Sequence, residues 1–162
     1  MLRKFLLLIV LIIIVLIAGG WFVFDRMTIS ALDQPSRLEV FLATQAKHRL
    51  VARAALESLP TETPANADTI EDGHTSYGSS CAGCHGYDGR TPTKLGASLY
   101  PHAPSLASAD VQMYNDRELY VIIHNGIRLS GMPAFGNSQT SDQIWNLIHY
   151  VRTLPSGQPG RR

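Results

Sequence analysis

The order of apolar and polar positions divides the chain into three parts. Residues 5–24 read FLLLIVLIIIVLIAGGWFVF, twenty positions without a charge, and an apolar helix of about twenty residues spans the hydrocarbon core of a bilayer. That run predicts a transmembrane signal-anchor over residues 1–25. From residue 30 the pattern changes. Asp33-Gln34-Pro35 reads as a cap followed by a proline suited to a first helical turn. Residues 36–59 are rich in Ala, Leu, Arg and Glu, which favour helix, but Leu38, Phe41, Leu50, Val51 and Ala55 scatter around the wheel without forming a stripe. Pro60 ends this helix, and the polar stretch TETPANADT beyond it has no periodicity. Residues 26–69 are therefore read as a spacer helix and flexible linker. Docking of that helix on the following domain or on a partner subunit is the alternative; His48 and Arg53, read as solvated, favour the spacer.

Residues 70–155 predict a helical domain. Its first helix should start near Ile70 and run through His74 and Tyr77 into a cysteine pair. Asn115 and Glu118 form a capping box ahead of Leu119, Ile122 and Ile123, which share one face, and Gly126 stands where that helix should end. Thr140 or Ser141 caps the last helix, Ile144, Leu147, Ile148 and Val151 make one apolar stripe, and Pro155 stops it. Between the helices, residues 86–110 and 131–139 hold many Gly, Pro and Ser, and loops of that length in a small domain usually wrap something. Residues 156–162 read as a disordered tail. The fold class is all-α, behind one transmembrane helix.

Composition narrows the function. The 162 residues leave room for one modest domain, and 14 basic against 13 acidic side chains leave no overall charge excess that would point to nucleic acid. Arg3 and Lys4 precede the apolar run, which places the N-terminus in the cytoplasm and the domain in the periplasm of a bacterial inner membrane. A cleaved signal peptide competes, with Ala18 and Gly20 at a suitable spacing. The run continues through Trp21, Phe22, Val23 and Phe24, whose aromatics suit a membrane interface and favour an uncleaved anchor.

The chain has two cysteines, Cys81 and Cys84, too close together to staple distant segments. In Cys81-Ala82-Gly83-Cys84-His85 the two thiols are spaced to add across the vinyl groups of one haem, and His85 is placed to ligate the iron through a neutral imidazole. A thioredoxin-like pair would need a βαβ setting and a zinc site a second pair of ligands; neither is present in the pattern. The second axial ligand is read as Met132, in the turn GMPAFG. A methionine that only fills a core belongs in an apolar helical stripe. Met27, Met113, His102, His124 and His149 are the competitors.

At this point residues 70–154 resemble the class I cytochromes c. The resemblance rests on Gly73 and Tyr77, CAGCHGYDG, the turn Ala103-Pro104-Ser105-Leu106, Gly126-Ile127, GMPAFG and the closing IWNLIHYVRTL. It implies an all-helical domain wrapped around one covalent haem c, with the first and last helices crossing at Gly73 and an aromatic such as Tyr150 packed there. It also implies that the Pro104 carbonyl accepts a hydrogen bond from the His85 ring and that Leu106 lines the pocket. Trp145, Ile122 and Tyr77 are read as further apolar wrapping. The resemblance does not extend to residues 1–69, and a lysine-ringed haem edge is missing, with only Arg90 and Lys94 near the haem motif.

The expected function is single-electron transfer with no catalysis of its own. The expected partners are membrane-bound or periplasmic redox proteins: a quinol-oxidising complex, a terminal oxidase or a dehydrogenase. The same chain could serve as a subunit of such a complex, and a haem sensor or peroxidase is the more distant alternative.

Overall fold

The computed structural model describes residues 2–26, 30, 33 and 35–154 and falls into two units, Met1–Gln34 and Pro35–Arg162, each taken by itself. The first holds α1 (Leu2–Asp25), whose residues are all exposed, Leu, Ile, Val and Phe included. Its 24 residues rise about 36 Å, more than the roughly 30 Å of a bilayer core. One such helix near an N-terminus is long and apolar enough to cross a membrane, a test that a signal sequence also passes.

The second unit begins with α2 (Arg37–Ala54). Ser36 caps it, its Oγ accepting from the Glu39 backbone N–H at 3.2 Å, so the cap lies three residues beyond the expected Asp33; Gln34 lies outside the described residues. The helix ends at Ala54, before the predicted Leu59.

The expectation of a free spacer and flexible linker does not hold within this unit. Val51 and Ala55 are buried, and Val51 shares a core cluster with Tyr114, Leu119, Tyr120, Ile144, Trp145 and Ile148. Arg117 donates to the carbonyls of Ala55 and Glu57 at 2.9 and 2.7 Å, satisfying groups that a helix end leaves without partners. The polar stretch beyond is tied down as well: Thr63 donates to Asn146 Oδ1 at 2.8 Å, and the His149 ring donates to the Thr63 carbonyl at 2.8 Å. The polar composition of this stretch reads as a flexible tether, whereas Thr63 uses its hydrogen bonds on α8. Arg53 is exposed as predicted, but His48 is half-buried and stacks on Tyr114 at 5.0 Å.

α3 (Ala67–Ser80) starts three residues before Ile70, because Asn66 and Thr69 form a reciprocal capping box inside the presumed linker. After a break at Cys81 come α4 (Ala82–His85), α5 (Lys94–Ser98), α6 (Ala109–Gln112), α7 (Asp116–Asn125) and α8 (Ser141–Thr153). The capping boxes of α7, on Asn115 and Glu118, and of α8, on Thr140 and Gln143, stand where the sequence puts helix starts. The short helix α5 lies inside the stretch 86–110 predicted as loop, and α6 straddles its end. Pro155, the tail 156–162 and Met27 lie outside the described residues.

α8 supplies the centre of the core. Ile144, Trp145, Leu147 and Ile148 are at most 1% exposed, each worth about 1.5–3 kcal/mol of burial. α3 crosses α8 at Gly73, where a Cβ would lie 2.0 Å from the Asn146 carbonyl oxygen, so that only glycine allows the backbones to come this close. Tyr150 packs at the crossing, 4.8 Å from the His74 ring and 5.1 Å from that of Tyr77. Arg152 ties the end of α8 to the α6–α7 turn, donating to Asp116 Oδ1 at 2.7 Å and to the Tyr114 carbonyl at 2.5 Å.

Candidate haem site

The cysteine motif sits where the chain leaves α3. The Tyr77 carbonyl still accepts from the Cys81 N–H at 2.9 Å, after which α4 turns Cys84 and His85 to the same side as Cys81. Neighbouring segments hold this turn. The Tyr77 hydroxyl donates to the Gly86 carbonyl at 2.5 Å, Thr93 Oγ1 donates to that of Gly83 at 2.7 Å, and the Thr93 N–H donates to that of Cys84 at 3.1 Å. Gly96 lies so close beneath that a Cβ would stand 2.1 Å from the Cys84 oxygen.

His85 Nδ1 is 2.9 Å from the Pro104 carbonyl. A carbonyl only accepts, so Nδ1 carries the proton and the Nε2 lone pair is left for a metal. Burial lowers the His85 pKa below the ordinary imidazole value, against a smaller opposing pull from the Pro104 bond, so the neutral ligating form prevails. Burial, with a further contribution from Cys84, pushes the Cys81 thiol up to about 12. A redox dithiol needs a thiolate stabilised by its surroundings, and the surroundings of Cys81 do the reverse.

Cys81, Cys84 and His85 open onto a cavity of about 350 Å3, within the roughly 300–1,000 Å3 of cofactor sites. Leu106, Ile122, Ile123, Leu147 and Val151 give it apolar walls, and Ile127, Met132 and Phe135 close it from the loop after α7. That loop is fastened at its base: Gly126 takes φ +65°, and the N–H groups of Phe135 and Gly136 donate to the Ile123 and His124 carbonyls at 3.1 and 2.9 Å. The two bonds of the Met132 backbone itself are longer, 3.3 Å from the Ile127 N–H to the Met132 carbonyl and 3.2 Å from the Met132 N–H to Ser130 Oγ, while Ser130 Oγ in turn donates to the Ile127 carbonyl at 2.7 Å.

The cavity gathers every predicted site residue: Cys81, Cys84, His85, Pro104, Leu106 and Met132. Of the competitors among the described residues, only His102 lines it. Met113 is 72% exposed, His124 stacks on Tyr120 with Nδ1 2.8 Å from Asn125 Oδ1, and His149 is engaged by Thr63. Ile122 lines the cavity as expected, but Trp145 and Tyr77 do not. Trp145 packs on Tyr120 at 4.7 Å in the core behind, and Tyr77 props the cysteine turn. Lys47 of α2 and Tyr114 also line the cavity and were not foreseen. Lys47 lies far upstream of the haem motif, and no local pattern connects the two.

The residues fit a haem: two thiols and one imidazole face an apolar space of cofactor size. Among the described residues no three His, Cys, Asp or Glu side chains gather as a metal-binding set of their own, so the arrangement does not match a zinc site.

Comparison with known proteins agrees. In a search of curated proteins none matches the sequence. A chain of the reducing HAO-like protein complex of Kuenenia stuttgartiensis has a similar fold, with a TM-score of 0.54 and 21% identity over 60% of this chain and 50% of that one; this chain thus spans about half the length of its structural relative. The family model for cytochrome c oxidase, cbb3-type, subunit III matches residues 68–151, which hold the haem motif and all six predicted site residues. That is more than half of the chain, and the protein accordingly belongs to this family as a c-type cytochrome, with haem c as its electron-carrying group.

Proposed function

We propose that the protein is a membrane-anchored electron carrier of the bacterial periplasm, with one haem c joined through Cys81 and Cys84 and its iron held between His85 and Met132. The supporting observation is that a half-buried imidazole with Nε2 left for ligation, two thiols and a methionine all line one apolar cavity. When bound, the haem supplies a one-electron couple. The chain's part is to fix both ligands, keep water from the iron and leave the donor and acceptor groups unchanged as an electron passes. Thioether ligation favours ferrous iron and raises the potential. α1 is read as an uncleaved anchor, with Arg3 and Lys4 on the cytoplasmic side.

The partners are membrane-bound or periplasmic redox proteins, such as a quinol-oxidising complex, a terminal oxidase or a dehydrogenase. The family's description names an oxidase subunit, which favours a place inside an assembled oxidase over free shuttling. Purified full-length protein should be red, give the pyridine haemochrome of a haem with both vinyl groups saturated, and show the methionine-to-iron charge-transfer band when oxidised. A colourless, correctly exported chain would overturn the reading. Co-purification with oxidase subunits from gently solubilised membranes would separate subunit from shuttle.

A further inference from the structure

α2 precedes the family-matched residues, yet it reaches the cavity. Lys47 is the one lysine or arginine among the cavity's lining residues. It is half-buried, with its Nζ 5.8 Å from the centre of the Tyr114 ring, near the outer limit of about 6 Å for a cation–π contact. The ion pairs among the described residues are His74–Glu71 and Arg152–Asp116, so Lys47 is in neither. Glu39, the acidic residue of α2 itself, is taken by the Tyr100 hydroxyl at 2.5 Å. The Lys47 side chain lines an apolar cavity and its ammonium is in no ion pair, which leaves that charge available to an anionic group placed at the cavity's rim. The helix that carries it is held in place by Val51, Ala55 and the bonds from Arg117.

Resting on the haem reading above, we propose that α2 is part of the haem site and that Lys47 is the cation that pairs with a propionate carboxylate of the haem. Lys47 is a positioning residue in this role: it makes no bond to iron, but it offsets a negative charge that would otherwise stabilise ferric iron. The pairing raises the reduction potential and holds the haem's polar edge against α2. It also gives the docked α2 a use that a spacer would not have.

The test uses full-length holoprotein carrying Lys47→Gln, Lys47→Glu or Lys47→Arg, with Arg49→Glu as an equal charge change at an exposed site on the same helix. Equilibrium redox titration and redox-difference infrared spectra of the propionate bands are read together. Lys47→Gln should move the ferric-to-ferrous ratio at fixed poise about tenfold toward ferric, roughly 59 mV for a one-electron couple, and should shift a propionate band. Lys47→Glu should move it further, Lys47→Arg little, and Arg49→Glu much less than Lys47→Glu. Native potential and native propionate bands in haem-loaded Lys47→Gln would overturn the assignment while leaving the haem reading intact, and so would an Arg49→Glu shift as large as that of Lys47→Glu. A wild-type chain without haem would overturn both.

Discussion

The two walls of the cavity are built differently. On the imidazole side, the cysteine turn is held from several directions, by Tyr77, by Thr93, by the close approach of Gly96 and by the Pro104 carbonyl on the His85 ring. On the Met132 side the loop is fastened at its base, with bonds of 3.2–3.3 Å nearest the methionine. Leu129, close by, takes φ +63° and is 92% exposed. The glycines show where each wall is tight. A Cβ on Gly96 would meet the Cys84 backbone and one on Gly126 the Pro133 backbone at 2.6 Å, whereas one on Gly131 would meet the Leu99 methyl groups at 2.7 Å, the far end of a flexible side chain. His85, the proposed imidazole ligand, is thus preset by its surroundings, while Met132, the proposed second ligand, follows a glycine whose neighbour has room to adjust. The difference teaches where substitutions should act on haem capture and where on ligation alone.

The largest effect should come from removing the ligands themselves. His85→Ala should abolish stable holoprotein, whereas Met132→Ala should keep attached haem, lose the methionine-to-iron band and bind carbon monoxide when reduced. If both variants gave the same spectrum, the contrast between the walls would fail. Next is the glycine pair. Gly96→Ala should cost about 3 kcal/mol of stability, the upper end of overpacking, and Gly131→Ala less than about 1 kcal/mol, as read by denaturant unfolding; equal costs would count against a rigid imidazole wall. Thr93→Val removes the hydroxyl that donates to Gly83 and caps α5 by accepting from the Gly96 N–H. It should cost about 1–2 kcal/mol with the methionine band unchanged. The smallest effect is expected from Leu129→Gly. It relieves a left-handed backbone worth about 1–2 kcal/mol but gives back about 0.4–1 kcal/mol in unfolded-chain entropy, for a net gain between about zero and about 1.6 kcal/mol, read by thermal unfolding.

The sequence disclosed the parts that carry local chemistry. CAGCH can be read because its spacing is itself the chemical requirement, and α7 and α8 because capping residues sit at fixed distances from apolar positions. α2 was misread because its attachment to the rest of the unit is small and mixed. Val51 and Ala55 are buried, while Leu38, Phe41 and Leu50 are 59–66% exposed, so the scatter on the wheel is real and the docking is carried partly by Arg117, some sixty residues away. The α3 cap escaped notice because Thr69 stands where a capping box usually has Glu or Gln. Trp145 was placed against the cofactor because α8 is buried on nearly every side, and a broad apolar face does not say which part meets the cavity. Lys47 shows the same limit: a side chain brought in by tertiary packing leaves no trace in nearby spacing.

The contact of Gly73 with Asn146 joins a segment that lies before the cysteine motif to one that lies after the methionine loop. The pocket is therefore ring-like in chain order, and its closure must wait for the last helix to be delivered. Without that helix, Cys81 and Cys84 would stand on an open stretch of polypeptide, where the proposed covalent loading would meet no closed wall. Once α8 docks, the glycine contact acts as a latch, and a chain truncated before residue 141 would keep its thiols and imidazole but have nothing to hold the door shut.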